Sequence, residues 1–229
     1  MTLVARFEVS NSPVLSGDLL ISGSERPGAD PLKIPTIDDI TEIYPEDWEW
    51  HRPIGLKQKI AIISDRLAVG WAGKEISATV AINKLREHVL THGDELDKIR
   101  EFVESPVFEE ENRTLPFSLT GYAFNDHESL VFAFGCENVD IENFGRVSLM
   151  GTGASRARKI FDELASGQFR YPNTGEVVPA EVSKSPELVA LMLSGHLISS
   201  ELIDKASLVG LYGGGYEIAY IDSVCKFAK

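Results

Sequence analysis

Cysteine and histidine are scarce in this 229-residue chain, which has two cysteines and five histidines. Cys136 and Cys225 are too few and too far apart for a disulfide framework, so a reduced, cytoplasmic compartment is expected. No second histidine or cysteine lies at metal-ligand spacing from His196, which is therefore expected in a core or an interface. The sequence predicts neither a metal nor a cofactor.

Excess positive charge and long apolar runs are also missing. The formal net charge of −13 argues against nucleic acid and anionic membrane surfaces as partners. No apolar run approaches the length of about 18 residues that a membrane span needs, and the N-terminus lacks the basic start and apolar stretch of a signal peptide. With 43% hydrophobic and 25% charged residues, residues 1–229 are expected to form a single domain.

Two amphipathic strands open the chain. Every second residue over 3–9 belongs to one apolar face, which is the period-two pattern of a half-buried strand. The Asn-Ser-Pro sequence at 11–13 breaks the pattern, and a second strand over 14–22 returns as a β-hairpin. This return brings Asp18 and Ser22 back toward the chain start. Asp18 is a charge in an otherwise apolar run, and a buried charge needs a partner.

Thr2 precedes the first strand and directly follows Met1. A small residue at position two normally allows the initiating methionine to be removed, and Thr2 would then carry both a hydroxyl and a free α-amine. A hydroxyl is a weak nucleophile at neutral pH unless a base lies beside it. The α-amine fits this role because it titrates at about 7.7–8.0. Thr2 is therefore a candidate nucleophile that supplies its own base.

A further strand and a glycine-rich turn follow. Lys59 opens an apolar run over 59–64, and its ammonium is a candidate partner for Asp18. A second strand over 67–71 leads into Ala72 and Gly73, where a helix is expected to start. Such a helix N-terminus carries unsatisfied backbone N–H groups that favour negative charge.

These elements resemble the proteasome β-subunit family of N-terminal-nucleophile (Ntn) hydrolases. The resemblance is carried by Thr2, Asp18, Ser22, Lys59-Ile60 and the Gly70-Trp71-Ala72-Gly73 turn. The spacings from Thr2 to Asp18 and from Asp18 to Ser22 match the family without a gap, and residues 59–65 are similar to its lysine strand. The Gly151-Thr152-Gly153 start of a later helix resembles the family's Gly-Ser-Gly turn beside the active site.

The resemblance implies a role for each of these residues. Thr2 is nucleophile and base, and Lys59 lowers the pKa of the site by its positive charge. Asp18 holds Lys59 charged and oriented, while the backbone N–H of Gly73 stabilises the oxyanion. Substrate binding is assigned to Ser22, which holds an extended peptide backbone, and to Thr152. The alternative is structural: Asp18 and Lys59 form a plain buried ion pair, and Gly73 serves only a turn.

The order of elements, together with the resemblance, predicts the fold class. Apolar periodicity predicts helices over 76–90 and 94–104, after Gly153 and from Pro186 with Ser185 as its cap, and strands over 117–124, 129–135 and 146–150. A final hairpin over 208–212 and 216–222 flanks three glycines. The expected fold is α+β: a four-layer αββα sandwich, the Ntn-hydrolase fold, with two mostly antiparallel sheets between helix layers.

The chain departs from the family in two places. Residues 209–212 stand where the family usually has an aspartate that supports the N-terminal amine. An insertion at about 24–56, with five prolines, replaces a much shorter connection. We expect Trp48 and Trp50, with the isoleucines at 37, 40 and 43, to order the insertion beside the substrate cleft or a subunit interface. Deleting it should then alter substrate size preference or oligomer state.

The expected protein is a threonine-type peptidase or amidase that forms a homo-oligomer, as a ring or stacked rings. The oligomer follows from the resemblance alone, and an ATPase partner is left open. Its substrate is a peptide or another amide. Two other hypotheses remain. One is a catalytically silent structural or binding subunit on the same fold, and the other is an amidase for a small non-peptide substrate.

Overall fold

The computed structural model describes most of the chain. The described residues are 2–10, 12–23, 34, 43, 52–112, 116–142, 144–171, 174–179, 184–209, 212–222 and 224–227. Within these ranges the chain forms six helices and twelve strands. None of the helices described there is long and apolar enough to cross a membrane.

The largest sheet has six antiparallel strands. They are β1 (Val4–Val9), β2 (Ser12–Asp18), β9 (Glu137–Ile141), β10 (Gly145–Met150), β11 (Tyr216–Asp222) and β12 (Val224–Phe227). Their order is β12-β11-β2-β1-β10-β9, so Val4 pairs with Gly17 on one side and Met150 on the other. The alternation of β1 explains its burial, because Ala5 and Phe7 enter one core while Val4 enters another.

Two smaller antiparallel sheets complete the strand arrangement. The four-stranded sheet contains β5 (Ile60–Ser64), β6 (Leu67–Gly73), β7 (Phe117–Phe124) and β8 (Ser129–Phe134), in that order. The two-stranded sheet pairs β3 (Leu20–Gly23) with β4 (Arg52–Leu56). β3 therefore begins directly after Leu19 but pairs with β4, which forms the C-terminal end of the predicted insertion.

Helices cover the two larger sheets. They are α1 (Glu75–His92), α2 (Leu96–Val103), α3 (Val107–Asn112), α4 (Ala154–Ala165), α5 (Pro186–Asp204) and α6 (Ala206–Val209). One core joins α4 and α5 to the six-stranded sheet, and a second joins the first three helices to the four-stranded sheet. α5 starts as the sequence predicts, with Pro186 in its first turn and the Ser185 side chain accepting from Leu188 N–H at 3.3 Å.

The predicted four-layer αββα sandwich with two sheets is wrong. The described chain is a mixed α/β structure with three mostly separate antiparallel sheets. The difference arises at Leu19, where the continuous strand predicted over 14–22 breaks into β2 and β3. Lys57 N–H donates to the Leu19 carbonyl at 2.7 Å, and β3 then pairs with β4 instead of extending the six-stranded sheet.

The predicted strand over 208–212 is wrong at Leu208 and Val209, while residues 210 and 211 lie outside the described part of the chain. α6 occupies Ala206–Val209 instead, and β11 pairs with β2 and β12. Lys205 adopts a positive φ of 54° that ends α5, and the turn beyond it buries Leu208 against Leu20 and Ile34. Apolar composition alone does not distinguish this short helical turn from a strand.

Most of the predicted insertion lies outside the described residues, including Trp48 and Trp50. The described part of the insertion is β4, at its C-terminal end, together with Ile34 and Ile43. Ile34 is 3% exposed and forms a small core cluster with Leu20 and Leu208, against which Ile43 packs. This cluster lies beside the strand that follows Asp18.

Candidate functional site

Thr2 lies just before β1 and is almost completely buried, with 1% of its surface exposed. Its carbonyl oxygen accepts a hydrogen bond from Gly153 N–H at 3.2 Å, which ties Thr2 to the turn before α4. Gly151 has a positive φ of 86°, and a Cβ there would lie 1.9 Å from the Thr2 carbonyl oxygen. Position 151 therefore requires glycine, both for its backbone conformation and for the close approach of Thr2.

Asp18 ends β2 and is fully buried. Its Oδ1 accepts from Leu3 N–H at 2.9 Å, and its Oδ2 accepts from Gly213 N–H at 2.9 Å. The Thr2 hydroxyl also donates to Asp18 Oδ1. Backbone donors therefore hold the carboxylate from two sides, which fixes the oxygen that faces Thr2.

Lys59 lies just before β5 and is 2% exposed. Its Nζ is 2.5 Å from Thr2 Oγ1, 2.9 Å from Asp18 Oδ1 and 2.5 Å from the Leu20 carbonyl oxygen. An ammonium has three donors, and these three oxygens use them all. Burial lowers the pKa of Lys59, and the charge of Asp18 opposes this shift.

The three side chains form one buried cluster around the Thr2 hydroxyl. Lys59 donates to Thr2 Oγ1, which in turn donates to Asp18. A positive charge beside a hydroxyl favours its ionised form, and a fixed carboxylate keeps the ammonium in place. The structure thus brings together Thr2, Asp18 and Lys59, which the sequence assigned to one site.

An open cleft of about 330 Å³ borders Thr2 and Lys59. Ser22 and Gly73 line this cleft. The assignment of Ser22 to substrate binding and of Gly73 to oxyanion stabilisation requires this position. Gly73 ends β6 with a φ of 93°, immediately before Lys74, the N-cap of α1. Thr152 is exposed and is not one of the residues that line the cleft.

Glu217 on β11 belongs to this region, although the sequence analysis did not single it out. Its Oε1 accepts from Lys59 N–H and from Ile60 N–H, the latter at 2.6 Å. Burial raises the pKa of the Glu217 carboxyl from an ordinary value of 4.5 to about 7. Like Asp18, Glu217 is a charged residue inside an apolar strand, and this pattern could have identified it from the sequence.

Glu201 is a second acidic residue that sequence reasoning missed. It lies fully buried on α5 and accepts from Gly214 N–H at 3.2 Å and from Ser207 Oγ at 3.2 Å. Gly213, the neighbour of Gly214, donates to Asp18. Glu201 therefore holds the glycine turn that supplies one of the Asp18 hydrogen bonds.

The free energy of unfolding of the Glu217→Gln variant should increase relative to that of the parent as the pH rises from 5 to 8. The parent carboxyl has its pKa raised on folding, so its contribution to stability falls as pH rises from 4.5 through about 7. Glutamine does not titrate and keeps an oxygen that can accept from Lys59 and Ile60. After allowance for partial exposure, the relative gain should be on the order of 1–2 kcal/mol. Urea unfolding at several pH values measures it.

The charge of Lys59 opposes the rise in the pKa of Glu217, and the charge of Asp18 reinforces it. Both remain in the variant, so the parent and variant differ mainly at position 217. Glu87→Gln, on an exposed position of α1, corrects for the loss of one carboxylate from the chain. A stability difference between Glu217→Gln and the parent that does not grow with pH would contradict the prediction.

Comparison with known proteins does not assign the chain to a family. No protein-family model matches it, and no curated protein matches it. Within the described ranges, no group of three or more His, Cys, Asp or Glu side chains is placed to hold a metal ion. Function must therefore be inferred from the residues around Thr2 and their geometry.

Proposed function

We propose that this protein is a proteasome-like N-terminal threonine hydrolase that cleaves amide bonds, most simply peptide bonds. The observation that carries the proposal is the position of the Thr2 hydroxyl, which contacts the buried Lys59 ammonium and Asp18 carboxylate beside an open cleft. Lys59 and Asp18 pair directly at 2.9 Å, and such an ion pair does not need a threonine hydroxyl beside it. A nucleophile does need a charge that favours its ionised form.

The chemistry requires Thr2 to be the first residue of the mature chain. Removal of Met1, or of any segment before Thr2, frees the α-amine. This amine takes the hydroxyl proton while Oγ1 attacks the substrate carbonyl carbon, and Lys59 stabilises the developing negative charge on Oγ1. The Gly73 N–H receives the oxyanion. The C–N bond then breaks, the amine product leaves with the proton, and water hydrolyses the Thr2 ester.

The cleft supports an extended substrate with apolar side chains. Ser22 lies on β3, an extended strand along one wall, while Ile21, Ile54 and Trp71 supply apolar surface. Extended peptides bind alongside strands through their backbone groups, and neighbouring pockets select their side chains. We propose peptides with apolar residues as substrates. We also propose a cytoplasmic homo-oligomer built as a ring or stacked rings, and we name no ATPase partner.

A threonine-directed electrophile tests the proposal. The chain is produced as a fusion whose cleavage leaves Thr2 first, and it is treated with a peptide epoxyketone or β-lactone. We expect one adduct per chain, located on Thr2 by peptide mass spectrometry, because Oγ1 is the activated nucleophile. The same chain with Met1 retained is the matched control and should not be labelled. Adducts that form equally on both chains, or on neither, would contradict the proposal.

A catalytically silent structural subunit is the second candidate. The observation that favours it is the near-complete burial of Thr2, which is 1% exposed, since a nucleophile must meet its substrate. In this case Thr2, Asp18 and Lys59 stabilise the fold by satisfying one another's buried polar groups. A protein that assembles into a defined oligomer, yet stays unlabelled when it starts at Thr2, would support this candidate.

A further inference from the structure

Three consecutive glycines in left-handed backbone conformations precede β11. Gly213, Gly214 and Gly215 have φ angles of 125°, 72° and 117°, and we call them the glycine turn. Glycine adopts positive φ without a steric penalty, but it loses more backbone entropy on folding than any other residue. Contacts from outside the turn are therefore needed to keep it in one conformation.

The glycine turn is joined to the site around Thr2 by two backbone hydrogen bonds of Gly213. Its N–H donates to Asp18 Oδ2 at 2.9 Å, and its carbonyl accepts from Leu20 N–H at 3.0 Å. Asp18 Oδ1 and the Leu20 carbonyl oxygen are two of the three oxygens that contact Lys59 Nζ. One glycine therefore fixes the two residues that supply most of the acceptors of this ammonium.

Glu201 on α5 contacts the glycine turn directly. Gly214 N–H lies 3.2 Å from both carboxylate oxygens of Glu201, and Ser207 Oγ donates to Oε2 at 3.2 Å. A Cβ at position 213 would lie 1.9 Å from Glu201 Oε2, so the carboxylate packs closely against Gly213 as well. Glu201 is fully buried, and a buried carboxylate is costly unless it is hydrogen-bonded. Part of this hydrogen bonding goes to the turn.

We propose that Glu201 is a positioning residue for the reaction at Thr2. By fixing the glycine turn, it places Asp18 and the Leu20 carbonyl around the buried ammonium. Glu201 is not one of the residues that line the cleft, so it acts through these two neighbours. A misplacement of about 1 Å in an active site can lower the rate on the order of 10²-fold. This role rests on the proposed function, whereas the fixing of the turn does not.

Turnover per active site tests the positioning role. In chains that start at Thr2, the electrophile that labels Thr2 also counts the folded sites, so kcat is not affected by unfolded protein. Glu201→Ala removes both acceptor oxygens and should lower kcat by about tenfold or more, with KM changed by less than about twofold. Glu187→Ala, at an exposed position of the same helix, is the matched control and should have the parental kcat.

Glu201→Gln is the conservative variant. Glutamine keeps the shape of the side chain and one oxygen that accepts from Gly214 N–H, so its kcat should stay within about threefold of the parental value. A Glu201→Gln variant as slow as Glu201→Ala would overturn the acceptor role. A Glu201→Ala variant with the parental kcat would overturn the proposal even if it unfolds more easily, because lower stability alone indicates a structural role.

The alkaline limb of the pH–rate profile is a readout that a structural role does not move. Burial lowers the pKa of Lys59, and the charge of Asp18 and its hydrogen bond oppose this shift. If the glycine turn moves, the Asp18 and Leu20 oxygens move away from Nζ, and the pKa of Lys59 falls further. Glu201→Ala should therefore lose activity at a lower pH than the parent does. An unchanged alkaline limb would overturn the action through Lys59.

Hydrogen exchange at the Gly213 amide tests the fixing of the turn without any hydrolysis. Relative to the amides of β7, which report global unfolding, this amide should exchange about tenfold faster or more in Glu201→Ala and at the parental rate in Glu201→Gln. Exchange that changes only in proportion to β7 would overturn the fixing of the turn. Faster exchange, with no hydrolysis by the parent, would support it and overturn the proposed function.

Glu201→Asp decides if Glu201→Ala does not fold. Its carboxylate is one methylene group shorter, so it withdraws from Gly214 N–H while the charge remains in the core. We expect a lower kcat and faster exchange at the Gly213 amide than in the parent. Parental values of both would overturn the proposal.

Discussion

Thr2→Ala, in a chain that starts at residue 2, should lose amide hydrolysis by about 10³-fold or more, as removal of a catalytic nucleophile does in other hydrolases. The variant keeps the α-amine, so the missing hydroxyl alone explains the loss. Its hydrogen bonds to Lys59 and Asp18 disappear, but Lys59 and Asp18 still pair directly at 2.9 Å. The fold should therefore persist. Initial rates on a fluorogenic peptide measure the effect.

Thr2→Ser is the control for this prediction. Serine keeps the hydroxyl beside Lys59 and should retain measurable hydrolysis, although without the methyl group that restricts the Thr2 side chain. Circular dichroism and thermal unfolding should show that both variants are folded. A Thr2→Ala variant that hydrolyses the peptide as fast as its parent would show that Thr2 is not the nucleophile.

Local patterns predicted that Asp18 lies near Thr2, which is part of the grouping of Thr2, Asp18 and Lys59. The apolar alternation of β1 and the return of β2 bring Asp18 to the start of the chain, and a charge in an apolar run signals a buried partner. The register agrees, since Gly17 pairs with Val4 and Asp18 N–H donates to the Leu3 carbonyl. The partner Lys59 needed the family resemblance as well as the pattern.

The arrangement of the sheets was not predictable in the same way. β3 pairs with β4 at the C-terminal end of the insertion, and strand pairing between distant segments leaves no local signature in the sequence. The same holds for β9 and β12, short strands at the two edges of the six-stranded sheet that were not predicted. Local periodicity identified most helices, because they carry their apolar spacing within one segment.

The acidic residues Glu217 and Glu201 show a further limit. Glu217 lies in an apolar strand, so the sequence marks it as a buried charge, whereas Glu201 directly follows two serines and carries no such mark. Glu217 accepts from the backbone N–H groups of Lys59 and Ile60, and Glu201 accepts from Gly214 N–H as well as from the Ser207 hydroxyl. Any residue except proline offers such a donor, so composition cannot name the partner. The packing of β11 against the start of β5 identifies the backbone donors of Glu217.

Lys59→Ala should both abolish hydrolysis and destabilise the fold, by about 3–5 kcal/mol. The lysine is 2% exposed, and its removal leaves the Asp18 carboxylate buried without its cation. Leu3 N–H and Gly213 N–H still donate to Asp18 at 2.9 Å, so we expect the lower part of this range. Urea unfolding at neutral pH measures the stability, and peptide hydrolysis by the chain that starts at Thr2 measures the activity.

Lys59→Met separates the charge of the lysine from the packing of its stem. Methionine fills most of the same space, so this variant should be more stable than Lys59→Ala yet equally inactive, because the charge beside Thr2 Oγ1 is missing in both. Lys57→Met is the matched control. Lys57 is exposed and pairs with Glu75 at the surface, and such pairs contribute about 1 kcal/mol or less. A Lys59→Met variant that is as active and as stable as Lys57→Met would mean that the buried ammonium serves neither catalysis nor the fold.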